Sequence, residues 1–147
     1  MEYGVLCYVI NSNVYTLDGK LWIFSDIMHG WCLFGKNKIE VFQNHNLPWN
    51  PTLAACIIAH ELGHHIDWLS LDNYDRRTYS VALKMKPRIS KEKKKWPTLS
   101  ATIFNAESRA WDNAFKVLKL HKFDEWDFFF AVRDYCLGTY MNSFHVR

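Results

Sequence analysis

The pattern of the first fifty residues is typical of strands and turns, and apolar and polar positions alternate, though not cleanly, over residues 39–43. Residues 3–10 are rich in β-forming residues, and two further pairs of β-rich segments each enclose a turn signal. We expect these pairs to form hairpins within an antiparallel or mixed sheet. The pairs are residues 14–17 and 20–24 around Asp18-Gly19, and residues 31–34 and 38–42 around residues 35–37.

A helical period replaces this alternation after residue 50. Asn50 suits the N-cap position and Pro51 suits the first helical position, so a helix is predicted over residues 51–69. Two histidines, His60 and His64, lie on one face of that helix together with Asp67. Six apolar residues at helical spacing form a neighbouring stripe: Ala55, Ile58, Ala59, Leu62, Ile66 and Leu69.

The rest of the chain is predicted to contain a basic insertion and two helices. Residues 72–98 are strongly charged and are interrupted by two prolines, so we interpret them as an insertion or long loop with at most a short helix. One of the following helices is expected to end near Leu120, and the other to have Asp124 as its N-cap. The predicted organisation is a single domain over residues 1–147, with a β-rich part (1–45), a helix (51–69), the basic insertion (72–98) and a helical part (99–141).

Positive charge is concentrated in the basic insertion. The 147-residue chain has a formal net charge of +3, whereas residues 72–98 carry nine Lys and Arg against three Asp and Glu, which leaves the remainder at −3. A charge run such as residues 91–95 is most often a solvated surface. The alternative is that residues 84–96 bind an acidic partner or nucleic acid, although the sequence contains no recognised nucleic-acid-binding motif.

The N-terminal residues and the cysteines indicate a cytoplasmic protein. Residues 1–4 contain no basic segment, and the apolar stretch at residues 5–10 is too short for a signal peptide. No apolar run approaches the roughly 20 residues that span a bilayer. The four cysteines are far apart, so we expect free thiols. These features predict a cytoplasmic location and no membrane partner.

The run His60-Glu61-Leu62-Gly63-His64 carries the strongest chemical signal in the chain. Side chains at i and i+4 of a helix project from the same face, so His60 and His64 can share one metal ion. Glu61 points about 100° away from His60, which suits a general base acting on metal-bound water better than a ligand. The alternative is two surface histidines on an amphipathic helix. The pattern predicts a zinc site with both histidines as ligands and Glu61 as the catalytic base.

A catalytic zinc needs a third protein ligand and an open coordination position. Glu107 is the strongest candidate, because it lies among apolar residues at helical spacing, where an unpaired carboxylate is costly. Alternatively, Glu107 pairs with Arg109 or is solvated. Asp67 is too close to His64 along one helix to complete a tetrahedron, and we expect it to support an imidazole N–H instead.

The run His60-Glu61-Leu62-Gly63-His64, followed by Glu107-x-x-Ala110, resembles the gluzincin metallopeptidases. The resemblance is strongest to small members with a later Glu-x-x-Ala helix, which include the ImmA/IrrE-type peptidases and compact phage-encoded relatives. It implies an α+β, zincin-like fold, in which an N-terminal twisted antiparallel or mixed sheet precedes the active-site helix and two C-terminal helices. It also implies hydrolysis of peptide bonds, with Zn²⁺ as cofactor, Glu61 as base and Glu107 as third ligand.

Two features of the chain depart from that family. Gluzincins often carry Asp or Asn four residues after the third ligand, where this chain has Trp111, and Asp112 comes one residue late. Asp67 is therefore expected to take over the supporting role. The interval between His64 and Glu107 is also longer than in the smallest members, because of the basic insertion.

The predicted function is a zinc metallopeptidase that hydrolyses a protein or peptide substrate. An exposed edge strand within residues 1–43 could hold an extended peptide by strand addition. The alternative is a catalytically silent, zinc-stabilised module that binds protein or nucleic acid. An intact Glu61 argues against that alternative, because a structural zinc site has no use for a base. Five residues are candidate donors to the oxyanion: Tyr74, Tyr79, Arg109, His121 and Tyr135.

Overall fold

Four helices make up most of the chain that the structure describes. The structure is a computed structural model, and it describes residues 6–12, 28–33, 38–44 and 49–145. Three strands come first: β1 (Leu6–Ser12), β2 (Met28–Leu33) and β3 (Lys38–Asn44). The helices follow: α1 (Pro51–Ser70), α2 (Asn73–Lys91), α3 (Pro97–Leu120) and α4 (Trp126–Phe144), with a short 3-10 turn, Lys93–Lys95, between α2 and α3.

The three strands pair with β3 in the middle. β1 runs parallel to β3, with Val9 opposite Val41, and β2 runs antiparallel to it, with Gly30 opposite Val41. Ile39 and Val41 point to the same face of β3 and are fully buried in the cluster that also contains the apolar residues of α1. The β2–β3 pair occupies the place of the second predicted hairpin. The first predicted hairpin, over residues 14–24, lies outside the described residues.

Helix α1 begins where the sequence predicts and is buried over most of its surface. Asn50 caps it, because its side-chain oxygen accepts a 3.0 Å hydrogen bond from the Leu53 amide, and Pro51 occupies the first turn. The helix contacts β2 and β3 as well as α3 and α4. The predicted apolar stripe is therefore too narrow: Leu53 and Cys56 are also fully buried, whereas Leu69 is exposed.

Helix α2 and the 3-10 turn occupy most of residues 72–98, so the prediction of a long loop with at most a short helix is wrong. Asp72 caps α2 by accepting a 2.8 Å hydrogen bond from the amide three residues later. The helix continues through Pro87, which removes one backbone donor. Tertiary burial of an apolar face stabilises the helix in spite of that proline and of its charge. The buried residues of this face are Tyr79, Ala82 and Ile89.

The C-terminal part of the chain consists of α3 and α4. Helix α3 matches its predicted bounds closely, whereas α4 begins at Trp126, with Glu125 in the N-cap position. The prediction of Asp124 as N-cap is wrong by one residue. The Glu125 carboxylate does not cap α4, and instead accepts a 3.0 Å hydrogen bond from the Thr52 hydroxyl at the start of α1. Asp127 lies in the first turn of α4, where an acidic side chain interacts favourably with the helix dipole.

The predicted fold class is wrong for the described chain. The four helices contain 20, 19, 24 and 19 residues, whereas the strands contain only seven, six and seven. The fold is mainly helical, and an α+β, zincin-like arrangement built on an N-terminal twisted sheet does not describe it. The prediction gave the β-forming residues of the N-terminal third too much weight, and it treated as a loop the segment that supplies a fourth helix.

Two apolar clusters fill the interior of the described chain. The larger one joins β3, α1, α3 and the first half of α4, and the smaller one joins α2, α3 and the end of α4 around Ile89 and Ile103. The three cysteines whose side chains are described, Cys32, Cys56 and Cys136, are free, as expected. No helix within the described ranges combines the length and the apolar character needed to cross a bilayer.

Helices α1 and α3 approach each other closely at Gly63. A Cβ at this position would lie 3.0 Å from the carbonyl carbon of Ala110 and closer still to its oxygen. Only glycine therefore fits, because any side chain would meet the facing backbone. Asn113 strengthens the contact by donating a 3.1 Å hydrogen bond from Nδ2 to the Gly63 carbonyl. This contact sets the distance between the helix faces that carry the polar residues described below.

Replacement of Gly63 by alanine is predicted to destabilise the protein. Overpacking costs about 1–3 kcal/mol, and we expect the upper part of this range because the methyl group must displace the Ala110 backbone and not a flexible side chain. This cost outweighs the roughly 1 kcal/mol gained in helix propensity. Urea unfolding of metal-free protein measures the change. The matched control is Gly138→Ala in α4, where nothing lies within 4 Å of the new Cβ, so the control protein is expected to be as stable as the wild type or more so. A stabilised Gly63→Ala protein would contradict the close contact.

Candidate metal centre

Three of the predicted site residues lie on one turn of α1. His60 and His64 project from the same face, with ring centroids 4.6 Å apart. A carboxylate oxygen of Glu61 lies 3.9 Å from Nε2 of His60. All three residues are buried, with relative exposures of 8%, 6% and 6% for His60, Glu61 and His64. Polar groups at this depth require partners, because desolvation without them is costly.

Helix α3 supplies a carboxylate to the same place. Glu107 is 7% exposed, and its Oε2 lies 3.1 Å from Nε2 of His60. Its Oε1 lies 3.3 Å from Nε2 of His64. The close α1–α3 contact thus brings together two imidazoles and a carboxylate that are far apart in the sequence.

The arrangement of these three side chains fits a metal ion. In a tetrahedral site with bonds of about 2.0–2.1 Å, neighbouring ligand atoms are about 3.3 Å apart. The two His–Glu separations, 3.1 and 3.3 Å, are close to that value. One ligand atom from each of His60, His64 and Glu107 lies within 4.8 Å of the others. This buried group could therefore hold a metal ion, and it consists of the three ligands predicted from the sequence.

The charges of the group compensate one another. Burial by itself would raise the pKa of Glu107, but the His64 and His60 rings beside it hold that pKa well below its usual range. Burial has the opposite effect on a histidine and lowers the pKa of His64. The adjacent Glu107 carboxylate more than offsets this effect and raises the pKa of His64 to about 9. Glu107 is accordingly an ionised carboxylate in a site with little water, which is the state that a cation requires of a ligand.

Glu61 is a second buried carboxylate, and it lies beside the ligand group without belonging to it. Burial raises the pKa of Glu61, and the His60 and His64 rings offset this only in part. The thiol of Cys32 on β2 is near enough that the Glu61 charge, after burial, contributes to raising its pKa to about 12. Glu61 therefore lies next to the ligand group, and its charge also acts on β2.

Trp111 of α3 packs flat against the first histidine. The rings of Trp111 and His60 have centroids 4.2 Å apart and planes inclined by 23°, and Trp111 is 1% exposed. Nδ1 of His60 has no hydrogen-bond partner among the described residues, so this stacking and the contact of Nε2 with Glu107 orient the ring. From the sequence, Trp111 is only a departure from the gluzincin pattern. Its spacing of four residues from Glu107 was nevertheless a signal, since it puts both side chains on one face of α3.

Asp67 binds Arg109 instead of supporting a histidine. Nε of Arg109 donates to Oδ1 of Asp67 at 2.6 Å, and a terminal guanidinium nitrogen donates to Oδ2 at 3.2 Å. Such bidentate pairs are strong and geometrically specific. The predicted role of Asp67 is therefore wrong, and so is the alternative that Glu107 pairs with Arg109. The pair instead forms a second link between the two helices that carry the ligands.

Tyr140, which was not predicted from the sequence, contacts the third ligand. Its hydroxyl forms a hydrogen bond with Glu107 and accepts a 2.8 Å hydrogen bond from Nζ of Lys86. Burial and then the Glu107 charge raise the pKa of Tyr140, so the hydroxyl keeps its proton and can donate it to the carboxylate. No sequence pattern connects these positions, because Lys86 lies on α2, Glu107 on α3 and Tyr140 on α4.

The five predicted oxyanion donors are placed very differently. Tyr79 is buried, and burial followed by the Glu107 charge raises its pKa, so it lies near the ligand group. Arg109 is held by Asp67. The other three lie on or beside α2, α3 and α4: Tyr74 is 76% exposed, His121 is exposed at the end of α3, and Tyr135 is half-buried on α4.

No protein-family model, curated protein or solved structure matches the chain. The resemblance to gluzincins therefore stays a prediction from the sequence motifs.

His60→Ala and Glu107→Ala are predicted to abolish stoichiometric metal binding, because each removes one of three ligands. Glu61→Gln should retain the ion, since Glu61 lies outside the ligand group. Metal content by mass spectrometry, after loading with a mixture of divalent ions and dialysis, makes the comparison, with circular dichroism as the check on folding. A Glu107→Ala protein that keeps one bound ion would show that the third ligand lies elsewhere.

Tyr140→Phe is predicted to weaken metal binding by about 10–100-fold, which is typical for loss of a hydrogen bond to a ligand. The change keeps the ring in the apolar cluster and removes only the hydroxyl that contacts Glu107. Competition with a chromogenic chelator measures the affinity. The control is Tyr74→Phe, which removes an exposed hydroxyl from the start of α2. Equal affinities for the two variants would mean that the Tyr140 hydroxyl does not support the ligand.

Proposed function

We propose that the protein is a zinc-dependent metallopeptidase that hydrolyses peptide bonds in a protein or peptide substrate. The observation that carries the proposal is the convergence of His60, His64 and Glu107, with the carboxylate of Glu61 buried beside them. Three protein ligands leave an ion with an open coordination position, which is how catalytic zinc sites differ from structural ones.

Glu61 is what favours hydrolytic zinc over other ions. Two imidazoles and one carboxylate also bind non-haem Fe(II) in oxygenases, so the donor set alone does not choose the metal. Hydrolysis needs a base next to the ion, and Glu61 meets that need at 3.9 Å from Nε2 of His60. Bound zinc would supply Lewis acidity, which polarises the scissile carbonyl and makes water easier to deprotonate.

Glu61 moves the proton during the proposed reaction. Its carboxylate takes a proton from the attacking water and then delivers it to the nitrogen of the leaving amine. The peptide and one water molecule thereby become a fragment ending in a carboxylate and a fragment beginning with an amine. The burial of Glu61 helps, because few other waters can exchange protons with it.

The neighbouring residues hold the ligands in position. Trp111 stacks on His60, while Tyr140 contacts Glu107 and is itself held by Lys86. Contacts of this kind orient ligands and are important for metal affinity and activity.

We place an extended substrate along β2. Among the described strands β2 pairs only with β3, so no described strand occupies its other edge. β2 also packs against α1, and the Glu61 charge acts on its Cys32 thiol. A peptide added to this edge would form backbone hydrogen bonds with β2 while passing near the base.

The alternative function is a catalytically silent module that zinc stabilises for binding. The same three ligands would serve it, but Glu61 would then have no role, and a buried carboxylate costs free energy. If the protein is a peptidase, loss of the Glu61 charge should abolish cleavage. If it is a binding module, the same change should leave its function intact.

Glu61→Gln is predicted to keep its zinc and to lose peptidase activity by at least about 100-fold, as expected for removal of a general base. Zinc-loaded wild type and variant would be incubated with a mixed peptide library, and cleavage products counted by mass spectrometry. Glu92→Gln, which removes an exposed carboxylate at the end of α2, is the control and should cleave like the wild type. Wild-type protein that holds one zinc and cleaves nothing would favour the binding module.

A further inference from the structure

A row of exposed positive charge runs along the outer face of α2. Four cations are spaced at i, i+7, i+11 and i+14, so they share one side of the helix, and all four are exposed. At 1.5 Å per residue they span about 21 Å. Two exposed lysines of the 3-10 turn continue the positive charge past the end of α2. The basic row consists of Arg77, Lys84, Arg88, Lys91, Lys94 and Lys95.

The basic row is rigidly held. The side of α2 opposite the row is buried, with Ala82 and Ile89 fully enclosed. Lys93 ties the 3-10 turn to α4 by donating a 2.8 Å hydrogen bond to the Asn142 carbonyl. The charges therefore lie on an ordered helical surface. The sequence had predicted a loop here.

The basic row has no compensating negative charge among the described residues. None of its six members forms a salt bridge with a described carboxylate. Lys84 and Arg88 are like charges at i and i+4, and Arg88 and Lys91 at i and i+3, and such pairs destabilise a helix. Repulsion between exposed cations over residues 84–91 is explained by a ligand of opposite charge better than by stability.

The surroundings of the row distinguish between anionic partners. A membrane surface requires an apolar face that can insert beside the charges, and the apolar face of α2 is already buried in the protein. A protein interface is usually centred on apolar or aromatic anchors and is poor in lysine. The exposed large apolar residues on α2 are Tyr74 and Val81 only. An interface dominated by phosphate contacts needs no such anchors.

We propose that the basic row binds the phosphate backbone of duplex DNA without reading its sequence. A straight row about 21 Å long matches a rigid polyanion that carries one charge per roughly 1.7 Å of axis. The proposal does not depend on the peptidase activity, because the row lies on the face of α2 opposite to Lys86, whose Nζ donates a hydrogen bond to the Tyr140 hydroxyl beside the candidate metal site.

Fluorescence anisotropy of a labelled random duplex of about 20 base pairs tests the proposal. Wild-type protein is expected to bind at about 50 mM salt, with log affinity falling against log salt by about 0.9 for each phosphate contacted. The triple variant Lys84→Gln/Arg88→Gln/Lys91→Gln should bind at least about tenfold more weakly, and its salt slope should be shallower by about three units. All three side chains are exposed, and an unchanged circular dichroism spectrum and urea unfolding midpoint of the variant report correct folding.

The matched control removes the same charge elsewhere. Lys116→Gln/Lys119→Gln/Lys122→Gln takes three exposed lysines from the end of α3 and the turn after it, and it should keep the wild-type affinity and slope. Equal weakening in both triple variants would overturn the proposal, because binding would then follow net charge alone. No DNA binding at low salt would also overturn it, as would tighter binding to anionic vesicles than to DNA.

Discussion

The close approach of α1 and α3 at Gly63 is the contact on which the candidate site depends. Ligands from two helices can face one ion only if the backbones lie near each other, and here the Gly63 side of α1 meets the Ala110 carbonyl directly. The hydrogen bond from Asn113 to the Gly63 carbonyl strengthens this contact, and the Asp67–Arg109 pair links the same helices at a further point. A glycine that weakens its own helix by about 1 kcal/mol relative to alanine thus makes the arrangement of the site possible.

Two carboxylates share the buried region but differ in their surroundings. Glu107 lies between two imidazoles, which hold its pKa low, whereas burial dominates at Glu61 and raises its pKa. In enzymes, neighbouring acids whose pKa values are shifted in opposite directions commonly have different catalytic roles. The opposite shifts agree with the proposed roles, in which Glu107 stays charged as a ligand while Glu61 exchanges a proton.

Local patterns allowed the three residues of the candidate metal site to be predicted, whereas the contacts around them depend on non-local packing. The spacing of His60 and His64, and the cap at Asn50, depend on one helix and could be derived from the sequence. Trp111 lies four residues after Glu107, which puts both side chains on one face of α3, but its stacking on His60 arises only when α1 and α3 pack. Tyr140 contacts Glu107 only after α3 and α4 pack, so no spacing rule indicated its role. The fold class was wrong for a similar reason. Helix α2 contains a proline and many like charges, and only the burial of its apolar face against other helices makes it a helix.

The three candidate ligands belong to helices that are separated in the sequence by the whole of α2. Metal binding at this site would therefore depend on folding and would stabilise the folded protein. An unfolded chain does not hold His60, His64 and Glu107 together, so an ion that binds them binds the folded state selectively. Each tenfold excess of free ion over its dissociation constant then adds about 1.4 kcal/mol to folding. Proteases act on the unfolded fraction, so cellular abundance would rise and fall with metal supply. The amount of folded protein would then report how much of the metal ion the cell contains.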